Sequence, residues 1–343
     1  MKFDVTIGIP VYKSKDYIAK TMESALSQSF KSIEFLVIDD CGEDGSIEIV
    51  QRLQREHPRG KNIHILYNNQ NCGVGVCRNM IIDNALGNYL YFLDSDDIIE
   101  PFAIQLLYDS ILQYSVDVAY GSYDIIDCIA NSPVEVYQKN SMVITKEDEL
   151  ATYVFKNSKI FHVSVCNCLI NLSFLRNTNV RFVDAQYWED FAFTYEFVPY
   201  VKCAVLFSDI TYHYLRRGGS LSHYEVRDYI EKKEIINNLS VISYIKKVCN
   251  QYKVKEYLPY LCYNLEVNIF YMICNIIKNY LIIFPNISVK EMHCAIRHPL
   301  SLSDILQFRK KLLPNLLFWF LGAMPTFIFY HFILFLAKLK KLI

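Results

Sequence analysis

Short apolar runs alternate with polar turns along the first half of the chain, and the apolar spacing switches between strand and helix periods. Val5-Thr6-Ile7-Gly8-Ile9 is a β-branched run that Pro10 is expected to stop. Lys15–Gln28 sets Ile18, Met22, Ala25 and Leu26 on one helical face. Ile33–Ile38 is a second strand-like run, ending in Asp39-Asp40. Ser46–Glu56 carries Ile47, Val50 and Leu53 at helical spacing, and the Ser46 hydroxyl is expected to cap its first turn. Ile63–Tyr67 reads as a third strand, Val74–Ala85 as a helix closed by Gly87 in a left-handed C-cap, and Tyr89–Leu93 as a fourth strand running into Asp94. This order predicts βαβ units and a mostly parallel, Rossmann-like sheet with right-handed crossovers. In such sheets ligands bind beyond the carboxyl ends of the strands. Pro10-Val11-Tyr12, Asp39-Asp40 and Asp94-Ser95-Asp96-Asp97 are therefore expected on one rim.

The middle of the chain is mixed. Val116–Tyr120, Val163–Ile170, Lys202–Phe207 and Thr211–Leu215 read as strands, and Trp188–Val198 as a helix with Phe191, Tyr195 and Val198 inward. Beyond Glu225 the pattern is that of long helices, so the expected division is an α/β domain over 1–223 and a helical extension over 224–343. The extension ends in the apolar run Leu316–Ala337 followed by Lys338-Leu339-Lys340-Lys341. There is no internal repeat and no low-complexity segment.

Composition narrows the class. Hydrophobic residues make up 52% of the 343 and charged residues 21%, a globular but greasy balance. The net charge of −1 gives no basic field, so nucleic acid is not an expected partner. None of the 11 cysteines forms a CxxC pair, which argues against a zinc knuckle and for free thiols in a reducing cytosol. Met1-Lys2-Phe3-Asp4 runs straight into a strand with no signal-peptide core.

Each candidate site has a functional and a structural reading. The carboxylates Asp94, Asp96 and Asp97 after a buried strand could hold a hard divalent cation that bridges phosphates, or could cap the next helix. Asp39 could accept from a nucleobase N–H, or belong to the turn Asp40–Ser46. Tyr12 offers a ring for stacking, or is an ordinary surface tyrosine. The glycine turn before Arg78 could bind an anion. It is not a dinucleotide fingerprint, since the third glycine of that pattern would fall at Arg78. Glu189-Asp190 beside Trp188 could act on an acceptor proton, or complement a helix N-terminus. Arg216-Arg217-Gly218-Gly219-Ser220 could close over a diphosphate, or form a solvated turn.

The order of these segments is more telling than any one of them. I-x-I-P-V-Y, F-L-V-I-D-D-x-x-x-D-G-S, N-x-N-x-G-V-G-x-x-R-N, Y-F-L-D-S-D-D, W-E-D and Y-x-R-R-G-G-S together resemble the family 2 inverting glycosyltransferases of GT-A fold, over about residues 3–222. The resemblance implies that Pro10 and Tyr12 sit beside the base, Asp39 recognises it (usually uracil), and Arg78 approaches the base or phosphates. It further implies that Asp94, with Ser95 beside it, contacts the ribose or diphosphate, and that Asp96 binds Mn²⁺ or Mg²⁺. Asp190 is the implied catalytic base, with Glu189 and Trp188 near the donor or acceptor sugar, and Arg217 and Ser220 in a loop over the pyrophosphate. Cys77 stands where the family usually has alanine, and Leu215 where it often has arginine.

The expected reaction is single-displacement transfer from a nucleotide-sugar, UDP-linked by the resemblance, to a saccharide or lipid-linked acceptor in surface polysaccharide or glycolipid synthesis. A polyprenyl-phosphate glycosyl synthase and a catalytically dead scaffold are the alternatives. The run Leu316–Ala337 could span about 30 Å of hydrocarbon if unbroken. The trailing lysines and Pro325 favour instead a helix or broken hairpin on the cytosolic face of the membrane.

Overall fold

The computed structural model describes residues 3–128, 132–157, 164–185, 188–216 and 229–342. The chain divides into two compact units, Met1–Leu150 with Lys159–Asp184 and Glu189–Ser220, and Ala151–Ser158 with Ala185–Trp188 and Leu221–Ile343. Two short segments from the α/β half of the sequence, Ala151–Ser158 and Ala185–Trp188, belong to the helical unit.

In the first unit the elements are β1 Phe3–Val11, α1 Ile18–Leu26, β2 Ile33–Asp39, α2 Ser46–Glu56, β3 Ile63–Tyr67, α3 Val74–Asn84, β4 Gly87–Phe92, β5 Ile98–Ile99 and α4 Ala103–Tyr114. They continue with β6 Val118–Asp127, β7 Ser132–Tyr137, β8 Met142–Ile144, α5 Glu149–Lys156, β9 Cys168–Asn171, α6 Leu172–Thr178, α7 Glu189–Phe197 and β10 Ala204–Arg216, α5 passing into the second unit at Ala151. The sheet runs β3-β2-β1-β4-β9-β6-β10-β5, with β7 against β6 and β8 against β10. β1 to β4 are mutually parallel, β9 is antiparallel to β4 and β6, and β10 runs parallel to β6. The order reverses between β1 and β4, because β2 and β3 are added on one side of β1 and β4 on the other. That reversal opens a crevice at the strand C-ends.

The period argument reproduced most of these elements. Ile18, Met22, Ala25 and Leu26 are buried on α1, and Val50 on α2. β1, however, continues through Pro10 to Val11. The ladder to β4 ends at Gly8↔Phe92, so the donor that proline lacks falls beyond it and costs nothing. Ser46 is the first residue of α2 rather than its cap. Gly45, at φ 91°, occupies the cap, and the Ser46 hydroxyl bonds Asp44 and the Ser14 N–H. Gly87 opens β4 instead of closing α3. The two expected strands Lys202–Phe207 and Thr211–Leu215 are one strand, β10, with register shifts near Ile210.

The second unit holds β11 Ile230–Glu231, α8 Lys232–Gln251, α9 Leu258–Lys278, β12 Ile283–Phe284, α10 Val289–Ala295, α11 Leu302–Ile305, α12 Leu312–Ala323 and α13 Thr326–Leu339. Its core is built on α8 and α9, with Val241, Ile245, Leu261, Leu265, Ile269 and Ile273 buried. α9 is long and apolar enough to cross a membrane by length and composition, and half of it is buried within the protein. The apolar run Leu316–Ala337 is broken at Met324-Pro325 into two helices of 12 and 14 residues. At 1.5 Å rise per residue neither crosses about 30 Å.

A buried polar knot stiffens the sheet where β6, β9 and β10 meet. The Asn167 amide donates to the Ser122 carbonyl (2.8 Å) and its Oδ1 accepts from Thr211 Oγ1 (2.6 Å). A Cβ on Gly121 would lie 1.9 Å from Thr211 Oγ1 and 2.9 Å from Asn167 Oδ1. Gly121→Ala should therefore cost about 2 kcal/mol or more in urea unfolding, through overpacking and broken buried hydrogen bonds. A change within about 0.5 kcal/mol, the range of neutral surface substitutions, would remove the knot from the account.

Candidate active site

The site grows from the C-ends of β1, β2 and β4. Val11 and Asp39 are register partners, so the residues that follow β1 and β2 leave the sheet side by side. Tyr12 projects with 43% of its surface exposed and Lys13 Nζ 5.2 Å from its ring centre, while Pro10 is buried within the strand. The Asp39 carboxylate accepts from the Cys41 N–H (3.2 Å), and burial pushes its proton affinity up. Asp40 turns the other way. Buried, it accepts from the N–H groups of Cys72 (2.8 Å) and Gly73 (2.9 Å) and from the Asn68 amide (2.7 Å). It thereby fixes the glycine turn that starts α3.

That turn delivers Arg78. The next glycine, Gly75, packs so closely that a Cβ would lie 2.7 Å from the Val183 carbonyl oxygen and 3.5 Å from Glu189 Cβ. Arg78 is buried on α3, expected at the base or phosphates, yet both its terminal nitrogens are taken by acids. One donates to Asp94 (2.9 Å) and the other to Glu189 (2.8 Å). The guanidinium also lies 5.5 Å from the centre of the Phe182 ring. A forked, permanently charged group suits two carboxylates from separate elements. The DSDD loop and the start of α7 are joined through this one side chain.

The acidic loop divides its labour. Asp94, Ser95 and Asp96 are partly exposed and Asp97 is buried. The Ser95 carbonyl is held by Thr21 Oγ1 at 3.0 Å. Asp97 accepts from Tyr212 Oη (2.5 Å) and from the Leu215 N–H (2.8 Å), so it ties the loop to the end of β10. It does not cap α4, whose N-cap Phe102 makes no side-chain cap bond. Burial, then the charges of Asp96 and Asp94, raise its carboxyl well above the usual range. This repulsion marks a surplus of negative charge on the loop.

Such a surplus suits a hard cation. Among the described residues no group of three or more His, Cys, Asp or Glu is placed to hold a metal. A cation that takes one or two carboxylates and completes its shell with phosphate oxygens and water needs no such group. Asp96, with Asp94 beside it, fits that donor set.

Glu189 and Asp190 are the first two residues of α7, where the helix dipole favours acids. Asp190 Oδ1 accepts from the Phe191 N–H at 2.7 Å. Burial raises Asp190 to about 6, against the lowering pull of Arg78. Burial and the Asp190 charge raise Glu189 as well, with Arg78 again opposing. Two acids with raised proton affinity beside a buried arginine are fitted to proton transfer near neutral pH.

The glycosyl transferase family 2 model matches residues 6–178, half of the chain and the stretch that carries these strands, turns and acids. The chain belongs to glycosyl transferase family 2. It is 38% identical to glycosyltransferase GlyA of Streptococcus pneumoniae over 120 residues, which are 35% of this chain and 16% of GlyA, so the chain spans only a small part of that relative. It is 24% identical to the Escherichia coli UDP-Glc:α-D-GlcNAc-diphosphoundecaprenol β-1,3-glucosyltransferase WfaP, over 71% of this chain and 90% of WfaP. The crystal structure of S. aureus TarS 1-349 in complex with UDP-GlcNAc has the same fold at TM-score 0.67, with 19% identity over 94% of this chain and 90% of that one. The expected GT-A architecture is thus the observed one, and the chain is a glycosyltransferase.

In the transferase, Tyr12, Asp39, Arg78, Asp94, Ser95, Asp96, Glu189 and Asp190 all belong to the first unit, and the topology gathers the C-ends of β1, β2 and β4 on one edge. Trp188, one residue before Glu189, belongs to the second unit. Arg217 and Ser220 lie outside the described residues. Asp40, Gly75 and the Asp97–Tyr212 tie are positioning features that the sequence did not single out. Only Asp40's place after a buried strand and Gly75's place before a helix hinted at them.

Asp190 gives a signed test on stability. A carboxyl raised from 3.8 to about 6 stabilises the folded state fully below the lower value, and that contribution disappears as pH rises through the upper one. Asp190→Asn should flatten the fall in stability between pH 4 and 6 and leave the protein about 1 kcal/mol more stable than the parent at neutral pH. Parallel melting-temperature profiles for the two proteins would refute this account of Asp190.

Proposed function

We propose that this transferase moves a sugar from a nucleotide-diphosphate sugar, most simply a UDP-sugar, to a hydroxyl of a saccharide or lipid-linked saccharide, with inversion at the anomeric carbon. One observation carries the reading. Arg78 links the acidic loop at the switch point of the sheet to an acid pair with raised proton affinity, so a donor-side and an acceptor-side group are held in fixed register. The names of WfaP and of the TarS–UDP-GlcNAc complex support a UDP-linked donor, and that of WfaP a lipid-linked acceptor.

In this reading Tyr12 stacks on the base, and the partly buried Asp39 accepts from it, with Pro10 walling the base from below. Asp94 and Ser95 face the ribose or diphosphate. Asp96, aided by Asp94, would hold Mn²⁺ or Mg²⁺, which when bound offsets charge on the leaving diphosphate. Asp190 removes the proton from the acceptor hydroxyl as that oxygen attacks the anomeric carbon. Glu189 stays paired to Arg78 and, with Trp188, orients the sugars. Direct displacement needs no protein nucleophile.

A membrane site for the acceptor is supported by the second unit. Leu313, Leu317, Phe320, Phe327 and Phe335 are exposed by 73, 70, 52, 69 and 59% on α12 and α13. Arg309, Lys310 and Lys311 precede them, and Lys338, Lys340 and Lys341 follow. Apolar faces flanked by cations suit the interface of an anionic bilayer, on the cytosolic side.

Donor binding, transfer and membrane binding each test the proposal. A panel of nucleotide sugars with Mn²⁺ or Mg²⁺ should yield one donor that releases its diphosphate and raises the melting temperature. Asp96→Asn should remove the cation dependence of donor binding. Asp190→Asn should lower transfer at least about 10³-fold while the donor still binds, and the parent rate should rise with pH through about 6. Silence from every donor, or full transfer by Asp190→Asn, would overturn the reading. For the membrane, Leu317→Glu with Phe327→Glu should abolish co-sedimentation with phosphatidylglycerol vesicles without lowering the melting temperature. Unchanged co-sedimentation would dismiss the apolar faces as the anchor.

A further inference from the structure

The second unit contains a cavity of about 230 Å³. It lies between β11–β12 and the helices α8 and α9. Ile230 and Ile283, register partners in the two-stranded sheet, and Ile235 of α8 line its inner part, all buried. α9 supplies a stripe at helical spacing, Asn268, Tyr271 and Asn275, continued by Asn279. Asn268, Tyr271 and Asn275 are exposed, so this stripe forms the mouth. Asn238 of α8, only 3% exposed, is a fourth amide at greater depth, and Trp188 adds a second aromatic group.

The lining selects the class of ligand. Among the described residues none that lines the cavity carries a charge, which disfavours phosphate, nucleotide or uronate. An acyl chain would press hydrocarbon against the amides, stripping water from Asn275 at the mouth and from Asn268, whose amide already donates to the Asn264 carbonyl (2.8 Å), at a cost for every hydrogen bond unmade. Each amide offers both a donor and an acceptor, the pair of functions that a hydroxyl also has. The negative faces of Trp188 and Tyr271 attract the C–H face of a saturated ring. The volume is that of about eight waters and falls below the range usual for drug-sized ligands, so it admits one ring rather than a chain. The amides also have a local cost, since asparagine is a poor helix former and two of them lie within α9.

We infer that this cavity is a binding site for one neutral sugar ring, held by amide hydrogen bonds and aromatic stacking, in the helical unit of the transferase. That the ring belongs to the acceptor rests on the proposed transfer reaction; that it is a sugar does not.

The test uses the full chain carrying Trp319→Phe, which leaves Trp188 as the only tryptophan of the two. The methyl glycosides of glucose, galactose and N-acetylglucosamine are titrated against its emission without donor or cation, with methyl glucuronide as the charged control. One neutral glycoside should give a saturable change, and the glucuronide none. Tyr271→Ala and Asn275→Leu, both at the exposed mouth, should each weaken that binding at least about tenfold at an unchanged melting temperature. The inference is overturned if no neutral glycoside changes the emission, if the glucuronide binds as well, or if both variants bind like the parent. Diphosphate release is measured on the same preparation. Glycoside binding without release would count against the transfer reaction alone, and release without glycoside binding against the cavity alone.

Discussion

The buried guanidinium of Arg78 is the constraint on which the site depends. Taking such a charge out of water costs several kcal/mol, and the cost is offset only when good partners meet it. Here Asp94 and Glu189 do so, at 2.9 and 2.8 Å. The reverse also holds, since Glu189 is almost fully buried and would be untenable as an anion without Arg78. The pair therefore has a geometric consequence beyond its modest net energy. Two acids more than ninety positions apart in the chain are held at one fixed separation by a planar fork that a lysine could not reproduce. Everything that places α3 contributes to this: Asp40 on the N–H groups of Cys72 and Gly73, and the absence of a side chain at Gly75.

Around this centre the charge is unbalanced. Among the described residues Asp94, Asp96, Asp97, Glu189 and Asp190 outnumber the buried Arg78, and burial, with their mutual repulsion added, raises the proton affinities of Asp97, Glu189 and Asp190. Asp97 escapes by accepting from Tyr212 and from the Leu215 N–H, which makes it part of the frame. Asp94 and Asp96 keep part of their surface exposed. A divalent cation with a diphosphate, as in the proposed reaction, would offset this surplus of negative charge. Burial keeps Asp190 protonatable near neutrality, a cost in stability that many active sites carry.

Much of this was legible in the chain. β1 to β4 announced themselves because their apolar runs are short, β-branched and bounded by turn residues, and the parallel order then forced Tyr12, Asp39 and Asp94 to one edge. The failures share a physical cause. Pro10 was expected to end its strand because a missing N–H matters only where a neighbour asks for it, and the early end of the β4 ladder is invisible in the sequence. Ser46 looked like a cap, yet its hydroxyl serves Asp44 and Ser14, and Gly45 takes the cap by a left-handed backbone. The partners of Arg78, Asp94 and Glu189, lie on other elements, so their pairing could not be read along the chain. Local spacing predicts elements; it does not reveal who meets whom across them.

The C-terminal run shows the same limit from another side. By length Leu316–Ala337 could span, Pro325 already argued for a break, and the backbone shows where the break falls. Pro325 has no N–H to continue the α12 ladder and holds the residue before it extended, so Met324 ends one helix and Thr326 begins the next. Each piece then buries a few residues, Leu321 on α12 and Phe329, Ile333 and Ala337 on α13, and leaves others exposed, among them Leu313, Leu317 and Phe320 on α12 and Phe327 and Phe335 on α13. A water-facing helix is expected to carry its polar residues on the outer face. These two carry leucine and phenylalanine there, and the cations gather at the outer ends of the pair instead. That distribution is unfavourable in bulk water and favourable at an interface between hydrocarbon and anionic headgroups, which is the physical ground of the proposed membrane site.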